Sequence, residues 1–249
     1  MAKRHDAALI LGALCWMAAP SAAQNFHRAT VWDLKIGAPI AEQPAPGEFR
    51  GFACGSNGGP PRAQLRGWSD FTRCAADAAG LHEVYFEYDD EIEYIARAHD
   101  NDREINRWAG THEVNFPVMT SALFDEAGML KGIRLVTDPR PEHRNDITEA
   151  DRRTREDSYI LGGIMASRFN IDPARDCTSL PPAEGESPVG ALFVKQVCER
   201  KEAGRRIVVR ANLFRKPGQS AFNPQLPTQL TQGQFESSAR VEVYQLDAP

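Results

Sequence analysis

The sequence lacks the short signatures that announce common catalytic and cofactor sites. It has no GxGxxG for a dinucleotide, no GxxxxGK[ST] for a nucleotide phosphate and no GxSxG elbow for a serine nucleophile. No CxxC occurs and no histidine pair stands at HxH or HExxH spacing, so neither a zinc ribbon nor a zinc hydrolase motif is present. Basic residues are not in excess, with 29 Lys and Arg against 34 Asp and Glu. Nucleic acid and anionic membrane surfaces are therefore poor partners. No segment approaches the roughly eighteen uninterrupted apolar residues of a membrane-spanning helix.

What is present begins at the amino end, MAKRHDAALILGALCWMAAPSAAQ, where Lys3 and Arg4 precede an apolar run and Ser21-Ala22-Ala23 follows it. These are the three parts of a secretory signal peptide, with cleavage expected near Ala23. Leu14 before Cys15 does not fit a lipid-attachment site. Losing Lys3, Arg4 and Asp6 takes the net charge from −5 to −6. The expected location is the periplasm or the exterior.

Signal cleavage removes Cys15 and leaves Cys54, Cys74, Cys177 and Cys198, an even number in a chain destined for an oxidising compartment. Three pairings are possible. Spacing favours the local ones, Cys54 with Cys74 and Cys177 with Cys198, each stapling a loop rich in Gly and Pro.

Strand patterns dominate the rest. In VYFEYDDEIEYIARA, Phe86 is followed six and nine residues on by Ile92 and Ile95; in ALFDEAGMLKGIRLV, Phe124 is followed at the same offsets by Leu130 and Ile133. This parallel predicts two similar hairpins, with turns at Asp89-Asp90 and at Asp125-Glu126-Ala127-Gly128. A third hairpin is expected around Lys201-Glu202-Ala203-Gly204, and ARVEVYQL at 239–246 alternates as a final strand. A long helix is expected over 147–169, interrupted at Gly162-Gly163, with shorter ones over 64–79 and 102–108. Sheet with a few helices and no βαβ rhythm reads as α+β, antiparallel hairpins packed by helices and held by two local disulfides. The expected division is a signal peptide at 1–23, a half with two hairpins at 24–144, and a half at 145–249 with the long helix, a hairpin and the last strand. The two halves could equally form one continuous domain.

The densest cluster of polar groups is FEYDDEIEY at 86–94. Asp89, Asp90 and Glu91 could together hold a hard divalent cation such as calcium, although the segment lacks the glycine and terminal glutamate of an EF-hand. A solvated turn is the commoner fate of such a run. Tyr85, Glu87, Tyr88 and Tyr94 on an exposed sheet face could supply binding contacts. In DPRPEHR, Arg140 and His143 could meet a carboxylate or phosphate, although an exposed loop of mixed charge is the plainer account. CGSNGGPP, 54–61, could form an anion nest, although a tight turn beside a disulfide explains its glycines more simply.

The segments CGSNGGPP, FEYDDEIEY, PVMTSALFDEAGMLKGIRLVTDPR and RKPGQ together resemble a set of secreted proteins of Gram-negative bacteria with no assigned activity. That resemblance covers most of the chain beyond the signal; it implies export and adds no catalytic residue. The opening LKIGAP at 34–39, followed by hairpins, is similar to small envelope modules of the assembly-factor or inhibitor type, which implies protein binding through a sheet. The leading expectation is a non-catalytic binding protein with a protein or small-molecule partner in the cell envelope. The second expectation is a cation-dependent hydrolase built on Asp89, Asp90 or Glu91 with His82 or His99, and no other catalytic residue is assigned.

Overall fold

The computed structural model describes residues 28–89, 95–96, 98–101, 110–139, 149–220 and 234–246. Its best-marked unit is the hairpin of β4 (Phe116–Phe124) and β5 (Leu130–Thr137). Asp125 makes the turn: its Oδ1 accepts the backbone N–H of Ala127 at 3.0 Å and of Met129 at 2.9 Å. Gly128 supplies the positive φ of 76° that closes it. The second hairpin joins β7 (Val194–Glu202) to β8 (Arg205–Phe214). Its turn is only Ala203-Gly204, both at positive φ, the two-residue form that matches strand twist.

Nine strands of the described residues make one sheet, and every pairing in it is antiparallel. The remaining strands are β1 (Arg50–Cys54), β2 (His82–Glu87), β3 (Thr111–Glu113), β6 (Cys177–Ser179) and β9 (Glu236–Gln245). Their order is β1-β2-β4-β5-β9-β8-β7-β6. Strand β3 pairs with the start of β4, on the edge that β2 occupies further along. Strand β9, last in sequence, lies between β5 and β8, so one sheet runs through both halves of the chain. The molecule is thus largely antiparallel sheet, with helices a minor part of its α+β character.

Both local disulfides form, Cys54–Cys74 and Cys177–Cys198. The second joins directly opposed residues of β6 and β7 and secures a three-residue edge strand. No described helix is long and apolar enough to cross a membrane.

The hairpin expected at FEYDDEIEY is not built on β2, and its residues 90–94 lie outside the described residues. Both edges of β2 are already paired, to β1 and to β4, leaving no place for a returning strand. Ile95 and Ala96 are instead in helical conformation, while Ile92 lies outside the described residues. The spacing shared with Phe124, Leu130 and Ile133 is therefore not a structural repeat. The expected long helix is two helices, α1 (Glu149–Glu156) and α2 (Ile160–Arg168), parted at 157–159 rather than at the glycine pair. Gly162 stays inside α2 because a Cβ there would come within 2.8 Å of Ala211 Cβ, so its absence lets the helix lie close on β8. Over 64–79 only a 3-10 segment, Trp68–Arg73, is helical, and the helix expected over 102–108 lies outside the described residues.

The two faces of the sheet differ. One is packed by α2 through Leu161 and Met165 and by the segment from Ala29 to Phe49, and its centre is aromatic. Trp68 is 1% exposed, with its ring centroid 4.7 Å from that of Phe52, 5.2 Å from Phe49 and 5.0 Å from Phe86, all edge-on. Its indole N–H donates to Pro44 O at 3.0 Å, which removes the cost of burying that group. Each large side chain buried here contributes on the order of 2 kcal/mol. Arg168 at the end of α2 sits 4.5 Å from the Trp32 ring centroid and donates to Glu113 at 2.9 Å, tying helix, amino-terminal segment and β3 together.

Candidate functional site

The other face carries charge, and the alternation of β9 explains why. Val241 and Val243 enter the aromatic side's core, so Arg240, Glu242 and Tyr244 must point the other way. In β5 the same rule sends Arg134 opposite to Ile133 and Leu135. The register then brings Arg134 across from Glu242 and Arg210 across from Arg240.

Glu242 is the hub. Its Oε1 accepts from Arg134 Nε at 2.9 Å, from an Arg240 guanidinium nitrogen at 2.8 Å and from the Tyr244 hydroxyl at 2.8 Å. Its Oε2 accepts from Arg210 at 2.6 Å. Arg134 reaches on to Glu83 Oε2 at 2.8 Å. Three guanidiniums thus face two carboxylates. Burial by itself would raise the Glu242 carboxyl, but the hydrogen bond and charge of Arg240, with Arg134 and Tyr244 behind them, bring it down from 4.5 to about 2. Burial also raises the Tyr244 hydroxyl, and the charge of Glu242 adds to that effect. Arg134 is pulled down by burial and more strongly up by Glu83 and Glu242, so it stays charged.

The loop CGSNGGPP lies over one end of this network. Asn57 donates its backbone N–H to Glu83 Oε2 at 2.8 Å, and Arg240 clasps Asn57 through its carbonyl at 3.0 Å and its side-chain oxygen at 2.5 Å. Glycine is required for the approach: a Cβ at Gly55 would fall 2.3 Å from Glu83 Cγ, and one at Gly58 would fall 2.9 Å from Val136. Glu83 Oε1 is buried beneath the loop without a hydrogen-bond partner. Further along the same face Arg206 pairs with Glu199 through two bonds of 3.0 and 2.9 Å, and Asn212 donates to Ser238 at 3.3 Å.

A second polar locus lies past the end of β2. Arg28 and Arg50 each donate to a different oxygen of Asp89, which is 8% exposed, and Arg50 also meets Glu87 at 3.4 Å. With Phe49 and Tyr88 they line a cavity of about 240 Å³. A carboxylate held between two guanidiniums has lost the oxygens and the net negative charge that a hard cation needs. Asp89 is thus an ion-pair partner of Arg28 and Arg50, while Asp90 and Glu91, expected to hold a cation with it, lie outside the described residues. Among the described residues no group of three or more His, Cys, Asp or Glu is placed to hold a metal ion.

The binding residues expected around this segment do not share an exposed face. Tyr85 is buried on the charged side, 2% exposed, with its hydroxyl 2.5 Å from Glu87 Oε1. Tyr88 is buried on the opposite side, its backbone N–H donating to Thr111 Oγ1 at 3.0 Å and its hydroxyl 3.4 Å from Glu113. Successive strand positions point to opposite faces, so residues three apart cannot form one surface. Glu87 is half-buried, while Tyr94, Arg140 and His143 lie outside the described residues. His82 opens β2 with its Nδ1 2.7 Å from Cys74 O, seven residues from Asp89 and so, at about 3.3 Å per strand residue, roughly 20 Å away. His99 donates its backbone N–H to Ile95 O at 3.2 Å in a helical turn. His82 and Asp89 thus stand towards opposite ends of β2.

The network on Glu242 was not anticipated from the sequence. Its one signal is a charge at the middle of an otherwise apolar strand, Arg134 in GIRLV and Glu242 in RVEVY. No family model, no curated protein and no solved structure matches this chain.

Proposed function

We propose that the chain is an exported, non-catalytic binding protein of the cell envelope that meets its partner through the charged face of its sheet. The observation that carries this reading is the division of labour between the faces. One is filled by helix and aromatic packing, while the other holds three arginines in fixed positions on a buried carboxylate, one of them, Arg210, half-exposed. Such side chains lose little freedom on meeting a partner, which lowers the entropic cost of association. Export is supported by the amino-terminal signal pattern, by the resemblance to secreted Gram-negative proteins and by the two disulfides.

Placing a photo-crosslinking residue at Asn212 or Ser238 on the charged face, and at Ile160 on the helical side, tests this reading in intact cells. The expected result is a discrete adduct from the two sheet positions and none from Ile160. Absence of any adduct from the sheet positions overturns it.

A further inference from the structure

Resting on that reading, we propose that Arg210, with Arg240 across from it, receives a carboxylate side chain from an acidic segment of a protein partner. The directly opposed pair Arg210 and Arg240 brings two like charges together, an arrangement that is destabilising unless an anion bridges it. Glu242 bridges them from below. That satisfies the two arginines unequally. Arg240 is engaged by Glu242 and by two oxygens of Asn57, whereas Arg210 makes one bond, from NH1 to Glu242, and its side chain is 41% exposed. Its guanidinium is already oriented by the buried carboxylate, with Glu199 near enough to feel its charge. Glu199 and Glu236 nearby are each paired, with Arg206 and with Lys216, so the three guanidiniums and two carboxylates of the network retain one positive charge for an incoming anion.

The surroundings fit one carboxylate. Asn212 and Ser238, opposed to each other and two residues along from Arg210 and Arg240, complete a patch about 5 by 7 Å; the Ser238 hydroxyl donates to Glu236 at 2.8 Å, so the Asn212 amide is the group that faces the partner beside Arg210. Guanidinium to carboxylate is the bidentate geometry that fixes position as well as charge. The cavities lined by Arg28 and Asp89 and by Arg175 and Arg200 lie elsewhere, and small-molecule sites are concave, so an extended acidic peptide laid along the strands suits this patch better than a free anion. Because the chain as a whole is acidic, this face is also where an acidic partner would be steered.

The test is titration of the oxidised, ¹⁵N-labelled protein with a hexaglutamate peptide, following the Arg Nε–Hε and Asn side-chain signals. Saturable shifts confined to Arg210, Arg240 and Asn212 are expected. Arg210→Ala should weaken binding by about tenfold, the effect of one charge-assisted pair, and Arg210→Lys should restore only part of it. Arg205→Ala, which removes the same charge from the same strand but from its other face, should leave binding within about twofold. Equal losses in Arg205→Ala and Arg210→Ala would overturn the proposal in favour of diffuse attraction. Inorganic phosphate binding as tightly as the peptide would overturn it in favour of a small-anion site. Adducts that persist at Asn212 and Ser238 in the Arg210→Ala protein would overturn this inference while leaving the binding face intact; loss of all adducts in the unaltered protein overturns the face itself.

Discussion

The two faces of the sheet are held by different physics. Around Trp68 the contacts are non-directional and their worth grows with buried area, so the face tolerates change in proportion to the volume disturbed. Around Glu242 the contacts are few and directional, and they converge on one carboxylate. Removing the hub would leave Arg210 and Arg240 without their counter-charge and Arg134 with Glu83 alone, which is costlier than never having placed them there. The comparison teaches that a face can be well ordered without being apolar, provided one carboxylate satisfies most of its donors.

Four measurements would break or sharpen that contrast. The largest effect is expected from Trp68→Ala, which should lower unfolding free energy by roughly 3–5 kcal/mol in denaturant titration. A small loss there would mean that the aromatic side is not the dominant core. Next is the acid limb of stability. Because Glu242 sits at about 2 when folded against an ordinary 4.5, its contribution is complete above about pH 4.5 and is lost as pH falls towards 2. Between those limits the unaltered protein should lose up to about 3 kcal/mol more than Glu242→Gln, which has no proton to take up. Parallel pH curves for the two would refute the hub. Gly132→Ala should cost about 1–3 kcal/mol, since the added methyl would lie 2.7 Å from the Tyr244 ring and 2.9 Å from Val243 O. A neutral result would mean that Tyr244 can leave its place without loosening the network. The smallest stability change, within about 0.5 kcal/mol, is expected of Arg210→Ala, so that the residue proposed to meet the partner matters to binding and not to folding.

Much of the architecture was legible in the chain. Asp125 to Gly128 marked a turn because an Asx side chain and a glycine each serve a particular backbone geometry, and the alternation of β9 marked a strand with two unlike faces. The cysteine spacing pointed to the local pairs that form. The failures share a cause, since each was decided by a neighbour far away in sequence. Whether Phe86 begins a hairpin depended on β1 and β4 taking both edges of β2, and whether Gly162 breaks a helix depended on Ala211 lying against it. The candidate site was hidden for the same reason. Asn57, Glu83, Arg134, Arg210 and Glu242 meet only through the pairing of β5, β9 and β8 and the fold-back of a glycine loop. Periodicity shows which face a residue takes and is silent on its company.

The central position of β9 also governs how the molecule can be made. A chain delivered amino end first presents β5 and β8 long before residues 236–245 arrive to join them, and Arg134 must wait for a partner 108 positions downstream. Contacts of that span are slow to form, and the waiting strands expose unpaired edges that invite other chains. The sheet therefore closes only when β9 arrives, and deleting residues 236–245 would sever it at its middle rather than trim its border.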